Sequence, residues 1–156
     1  MKKRILPAIV LAVSTAACSL NKSDGAAEQA YSAHNPTTAT DILGRWYIDN
    51  IALNDSTYLQ LSQQETTARQ YIAFNDSSFF IKTNCNSISG SFIIDGNSIS
   101  LGEGAMTEMA CDDMTAEDAL RILLPDVASF HVDGDSILRL VCRDHAKYIE
   151  LRKVEE

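Results

Sequence analysis

Ser87-Ile88-Ser89-Gly90-Ser91-Phe92-Ile93-Ile94-Asp95-Gly96-Asn97-Ser98-Ile99-Ser100-Leu101 decides the fold. Apolar and small polar residues alternate on both sides of Asp95-Gly96-Asn97, a triplet of turn-forming residues. Alternation at period two gives each strand one face for a core and one for water. The same pattern recurs outward from this hairpin. Ser129 to Val132 and Ile137 to Val141 flank Asp133-Gly134-Asp135. Gln70 to Asn75 and Ser78 to Thr83 are rich in aromatic and β-branched residues and meet at Asn75-Asp76. Arg45 to Ile51 opens the series with Trp46 and Ile48 on one side, and Lys147 to Arg152 closes it. Short, evenly spaced strands joined by hairpins predict a mainly β (α+β) domain. Its expected form is a curved antiparallel sheet or a partly open β-barrel.

One segment changes period. Ala116, Ala119, Leu120, Leu123 and Leu124 lie at helical spacing and predict one helix, about 116–124, packed on the sheet. Thr115 is the expected cap. Glu117 and Asp118 fall in the first turn, where the helix dipole favours negative charge, and Pro125 ends the helix.

The N-terminus reads differently. Lys2-Lys3-Arg4, the apolar run Ile5 to Val13 and the small residues Ser14-Thr15-Ala16-Ala17 precede Cys18. Basic, apolar and small segments in that order describe a secretory signal, and the run falls short of the ~20 apolar residues that span a bilayer. Ala-Ala before a cysteine resembles the bacterial lipobox. That resemblance implies a lipoprotein signal peptide over 1–17 and lipidation of Cys18. Residues 18–40 hold almost nothing that builds a core and read as a flexible tether, leaving 41–156 as the folded domain.

Removing residues 1–17 leaves 139 of 156 residues, enough for one core, and takes the formal net charge from -8 to -11. Such acidity argues against nucleic acid as a partner, since phosphates are bound through Lys and Arg. It also disfavours direct adhesion to anionic lipid head groups, leaving anchoring to the acyl chains.

Three cysteines remain beside Cys18: Cys85, Cys111 and Cys142. An odd count in an exported protein means one disulfide and a spare thiol, or no disulfide, and spacing alone does not choose the pair. Asn84-Cys85-Asn86 could pair a nucleophile with amide donors, but no histidine lies nearby in sequence to generate a thiolate. The plainer reading has both asparagines accepting tight-turn backbone angles while Cys85 packs or pairs. Cys142 and His145 lack the second ligand pair of a zinc site. Asp112-Asp113 and Asp133/Asp135 do not match a calcium loop. His34, His131 and His145 have no carboxylate at catalytic spacing. The expectation is no catalytic residue, no metal and no cofactor.

In chain order, Leu43-Gly44-Arg45-Trp46, Tyr71-Ile72-Ala73-Phe74, Asn84-Cys85-Asn86-Ser87-Ile88-Ser89-Gly90-Ser91-Phe92, Met106-Thr107-Glu108-Met109-Ala110-Cys111 and Asp133 to Leu140 resemble the motifs of the META domain family, which includes HslJ-type heat-shock proteins. The resembling stretch is Ile42 to Arg152. Asn84 stands where the family usually carries glycine, and Cys142 lies outside the shared pattern. The resemblance implies a compact β domain with one helix and an envelope role linked to stress or secretion. It implies a Cys85–Cys111 disulfide and Trp46 as a core anchor, and it supplies no reaction. The expected protein is a lipid-anchored cell-envelope module on the outer membrane, facing the periplasm or the exterior. It would bind an unknown envelope protein partner. A carrier of a small apolar ligand is the alternative, and a thiol-dependent enzyme a distant one.

Overall fold

The computed structural model describes residues 39–62 and 69–155. Cys18, segment 1–17 and the tether up to residue 38 lie outside them. Residues Ala39–Ile42 form a 3-10 turn, after which come β1 (Gly44–Asn54), β2 (Thr57–Gln60), β3 (Tyr71–Asn75), β4 (Ser78–Lys82), β5 (Ser87–Asp95), β6 (Ser98–Leu101) and β7 (Ala105–Met106). Helix α1 (Thr115–Leu123) continues into a 3-10 turn at Leu124–Asp126, followed by β8 (Val127–Asp133), β9 (Ile137–Cys142) and β10 (Tyr148–Lys153).

The sheet runs β10-β9-β8-β6-β5-β4-β3-β1, and β1 pairs back onto β10 to close an eight-stranded antiparallel ring. The expected curl therefore completes into a barrel, which leaves no open edge in the ring. β2 and β7 pair with β1 and β5 outside the ring. The closure is thinnest between β6 and β8, where Ser98↔Ser129 is the single ladder pair. β1 carries the opposite seam with a bulge between Ile48 and Asn50. The extra residue resets the alternation, so Trp46 and Ile48 face inward before it and Ile51 after it.

Side chains fill the ring. Trp46, Phe74, Phe130, Ile72, Ile81, Leu138 and Leu140 are among the fully buried residues of one continuous core. At one end α1 adds Ala116, Ala119, Leu120 and Leu123 to that core, which is the stripe its periodicity predicts. The capping differs from expectation. Thr115 is the first helical residue, with Met114 before it, and no side chain caps the helix there. The Asp113 carboxylate accepts the Thr115 N–H at 3.0 Å instead. None of the described helices is long and apolar enough to cross a membrane.

Candidate functional site

The barrel end plugged by α1 concentrates the unusual chemistry. Between β4 and β5 the chain turns through Thr83-Asn84-Cys85-Asn86, and Thr107 to Asp113 crosses the same end before the helix. Neither Asn84 nor Asn86 adopts a left-handed backbone, since the non-glycine residues with positive φ are Asp76 and His145. The link is a tight turn closed by the Thr83 N–H to the Asn86 carbonyl at 3.0 Å, without left-handed angles at either asparagine, and the two amides act as connectors. Asn84 Nδ2 donates to the Asp113 carbonyl at 2.8 Å. Asn86 does more. Its side-chain oxygen accepts from the Thr107 hydroxyl and the Met109 N–H, both at 2.8 Å. Its Nδ2 donates to the Met109 carbonyl at 2.9 Å and to Glu117 Oε2 at 3.0 Å. One buried amide thus ties the β4–β5 turn to the crossing segment and to the helix.

Glu117 is the residue that sequence reasoning missed. It is fully buried, and Oε1 accepts from the Asn86 N–H at 2.5 Å and from the Thr83 hydroxyl. Burial alone raises the Glu117 carboxyl. The bonds from Thr83 and from the Asn86 side chain and backbone, with the charge of Arg121, outweigh that and hold its pKa below the ordinary value. The signal was present in the helix pattern. Glu117 precedes Leu120 by three and Leu124 by seven, so it belongs to the buried stripe as much as to the first turn. A carboxylate in an apolar stripe needs partners, and three donors supply them.

Beside this network the structure joins Cys85 to Cys111, with Cα atoms 6.1 Å apart, inside the span a disulfide bridges. Cys142 is a free, fully buried thiol on β9, donating to the Leu123 carbonyl at 3.7 Å. Burial pushes it up to about 11, aided by Asp126 and Asp144 and opposed by Lys147 and Arg143, so almost no thiolate exists at neutral pH. Neither arrangement prepares a nucleophile. His145 sits in the turn after β9, and His131 on β8. Among the described residues no three His, Cys, Asp or Glu side chains converge on a metal position. Trp46 on β1 is fully buried, its Nε1 donating to the Ile42 carbonyl at 2.7 Å.

A cleft of about 490 Å³ opens beside α1, with Phe79, Ile88, Leu101 and Met106 as its floor and Glu103, Glu108 and Arg121 on its rim. Gly104 shapes its wall, because a Cβ there would stand 2.7 Å from the Ser89 carbonyl oxygen. The cleft lies at the mouth of the barrel, whose interior is filled.

Chain entropy makes the disulfide testable. Closing a loop with a sequence separation of 26 is worth about 3.5 kcal/mol. The Cys85→Ser/Cys111→Ser protein should lose stability of that order in denaturant titration. Peptide mapping of unreduced protein should show one crosslinked peptide, with Cys142 alkylated only after unfolding. A crosslink to Cys142, or unchanged stability in the double variant, would contradict the pairing.

The model of one known family, the META domain, matches residues 41–155. No curated protein matches the chain significantly. Among solved structures, an NMR structure of a Burkholderia xenovorans protein is similar, with TM-score 0.62 and 19% identity over 85% of this chain and 99% of that one. A DUF4847 family protein from Bacteroides vulgatus is similar at TM-score 0.53 and 12% identity, covering 74% of this chain and 95% of the other. At such identities the likeness is one of fold. The matched model spans nearly all of the barrel and its helix, from the turn before β1 to the end of β10, and the chain therefore belongs to the META domain family.

Proposed function

We propose that this META-domain protein is a lipid-anchored module of the bacterial cell envelope that works by binding or assisting assembly, without catalysis. The observation that carries this reading is the filled barrel: with core side chains occupying the interior, a partner engages the outside. The end plugged by α1 suits such contact. The disulfide and the Asn86–Glu117 network fix its backbone, while Met109 and Ile122 stay 60% and 66% exposed. A rigid surface loses little entropy on binding. A disulfide also fits an oxidising compartment, in keeping with export of the chain and acylation at Cys18. Ser19 follows Cys18, in place of the Asp that retains lipoproteins at the inner membrane of well-studied bacteria, and this favours the outer membrane. The family resemblance adds an envelope role linked to stress.

Intact-mass analysis of protein from its own envelope tests the anchor. Native protein should begin at an acylated Cys18 and partition into detergent. The Cys18→Ser variant should keep its signal segment or become soluble. Native protein lacking residues 1–17 but carrying an unmodified Cys18 would refute the anchor.

The cleft favours a second reading, a carrier whose ligand sits at the barrel mouth. Its volume of about 490 Å³ falls within the ~300–1,000 Å³ of small-molecule sites. Titration with an apolar fluorescent probe, compared between native protein and Met106→Trp, which narrows the cleft, separates the two readings.

A further inference from the structure

From residue 41 onward the chain carries nine Lys and Arg, and most of them are spoken for. Arg139, Arg143, Lys147 and Arg152 each hold a carboxylate: Glu150, Asp126, Asp144 and Asp49 respectively. Arg121 acts on Glu117, and Lys153 lies over the Trp46 ring while donating to the Leu43 carbonyl. Arg69 lies 5.0 Å over the Tyr47 ring and donates to the Ser62 carbonyl. Arg45 and Lys82 have no carboxylate partner among the described residues.

Strand register brings these two onto one surface. β1 pairs with β3 through Arg45↔Ala73 and Tyr47↔Tyr71. β3 pairs with β4 through Ala73↔Phe80 and Tyr71↔Lys82. Arg45, Tyr47, Tyr71, Phe80 and Lys82 therefore share the outer face of three adjacent strands. The Arg45 guanidinium lies 4.7 Å above the Tyr71 ring, and that ring lies 6.2 Å from Phe80. Stacking fixes the guanidinium without consuming its edge donors, which stay available to an anion. Asp49 and Glu150, the carboxylates on the neighbouring β1–β10 face, are each held by their own guanidinium. The wall is cationic and aromatic on an otherwise acidic chain.

The chain enters the barrel at this same wall, since Arg45 follows Gly44 at the start of β1. We infer that the outer face of β1, β3 and β4 is a membrane-resting surface that takes the phosphates of anionic lipid head groups, with Arg45 and Lys82 as the phosphate-binding residues. This rests on the proposed anchor at Cys18. A lipid attached a short linker away holds the wall at about millimolar effective concentration, so a weak patch suffices to orient the domain. Tyr and Phe beside Arg and Lys is the mixture that favours a membrane interface. The net-charge argument against lipid contact fails because it averages over a surface that the fold divides.

The barrel closes within Gly44–Lys153 and holds its own core, so the unacylated mature chain carrying Cys18→Ser is a folded test object. It should co-sediment with vesicles containing phosphatidylglycerol, far less with phosphatidylcholine alone, and be released by high salt. Each Lys or Arg near such a surface contributes about five-fold, so Arg45→Gln/Lys82→Gln should bind about 25-fold more weakly with its melting temperature unchanged. Arg139→Gln/Arg143→Gln, the control elsewhere on the barrel, should bind as the parent does. Equal binding to both vesicle types, equal losses in both double variants, or wall residues protected by an envelope protein with no vesicle binding would overturn the inference. The acyl mass of native protein is measured independently, so failure of the anchor is distinguishable from failure of the patch.

Discussion

Trp46→Ala is expected to destabilise the domain by about 3 to 5 kcal/mol, the range for emptying a core site of a large aromatic. Trp46 is fully buried, faces Ile72 on β3 and Lys153 on β10, and so stands where β1 is shared between two neighbours of the ring. Its indole N–H donates to the Ile42 carbonyl at 2.7 Å, which docks the entering chain against the core. The Lys153 amine lies 4.4 Å from the ring centroid. Truncation therefore opens a cavity, strands a carbonyl and loosens the β1–β10 closure together. Against a typical total of ~5 to 15 kcal/mol, the melting temperature should fall by about 10 °C or more. Trp46→Phe keeps most of the packing but not the N–H, and should lose less than half as much. A melting temperature near wild type for the alanine variant would remove Trp46 from the core and recast it as a contact residue.

How much of this was legible in advance follows from which interactions are local. Each of the eight ring strands corresponds to an alternating segment of sequence, because one buried face writes period two directly into the chain. β2 and β7 were not legible: four and two residues long, they lie outside the ring and carry too little alternation to read. The bulge in β1 was also hidden, since nothing local in Ile48-Asp49-Asn50 announces that Asp49 is an extra residue opposite consecutive residues of β10. Ring closure is likewise a matter of long-range pairing, so the expectation stopped at a sheet curling towards a barrel. At the candidate site, the positions of Cys85, Asn86 and Cys111 are singled out by motif, but the side-chain network of Asn86 is not. Its partners, Thr107, Met109 and Glu117, are 21 to 31 residues away. Likewise Thr115 was expected to cap a helix that Asp113 serves instead, a shift of two residues between equally plausible oxygen-bearing side chains. Charge was legible only as a sum; its division into a cationic wall and acidic remainder needs the register of β1, β3 and β4.

The second large effect belongs to Glu117. Its carboxylate satisfies the Asn86 N–H, the Asn86 amide and the Thr83 hydroxyl inside the barrel end. Glu117→Leu suits the apolar stripe of α1 but removes three hydrogen bonds to a charged acceptor, each worth about 1.5 to 3 kcal/mol. Each donor keeps a second acceptor: Thr83 Oγ1 for the Asn86 N–H, the Asn86 carbonyl for the Thr83 hydroxyl and the Met109 carbonyl for the Asn86 amide. These offset part of the cost, and a net loss of about 3 kcal/mol is expected. Glu117→Gln retains one acceptor and turns an NH₂ towards the remaining donors; about 1 to 3 kcal/mol should be lost. Acid separates charge from shape. The folded pKa lies below the ordinary glutamate value, so the stabilisation from the ionised carboxylate is complete above the unfolded pKa of about 4.3 and disappears as pH falls through the folded value. Denaturant titrations of wild type and Glu117→Gln should therefore differ at pH 7, with the difference shrinking as pH falls below the unfolded value and through the folded one. A difference that stays constant throughout that range would mean that folding leaves the Glu117 pKa unchanged, so that its ionisation adds nothing to stability. The readout also tests the coupling across this end of the domain. Because Asn86 bonds both Glu117 and Met109, Glu117→Gln should speed amide exchange at Met109 and at Asn86 while leaving amides away from this network as protected as before. Exchange rising evenly over the whole barrel would instead report a global loss of stability, with no special role for the network in fixing the exposed loop.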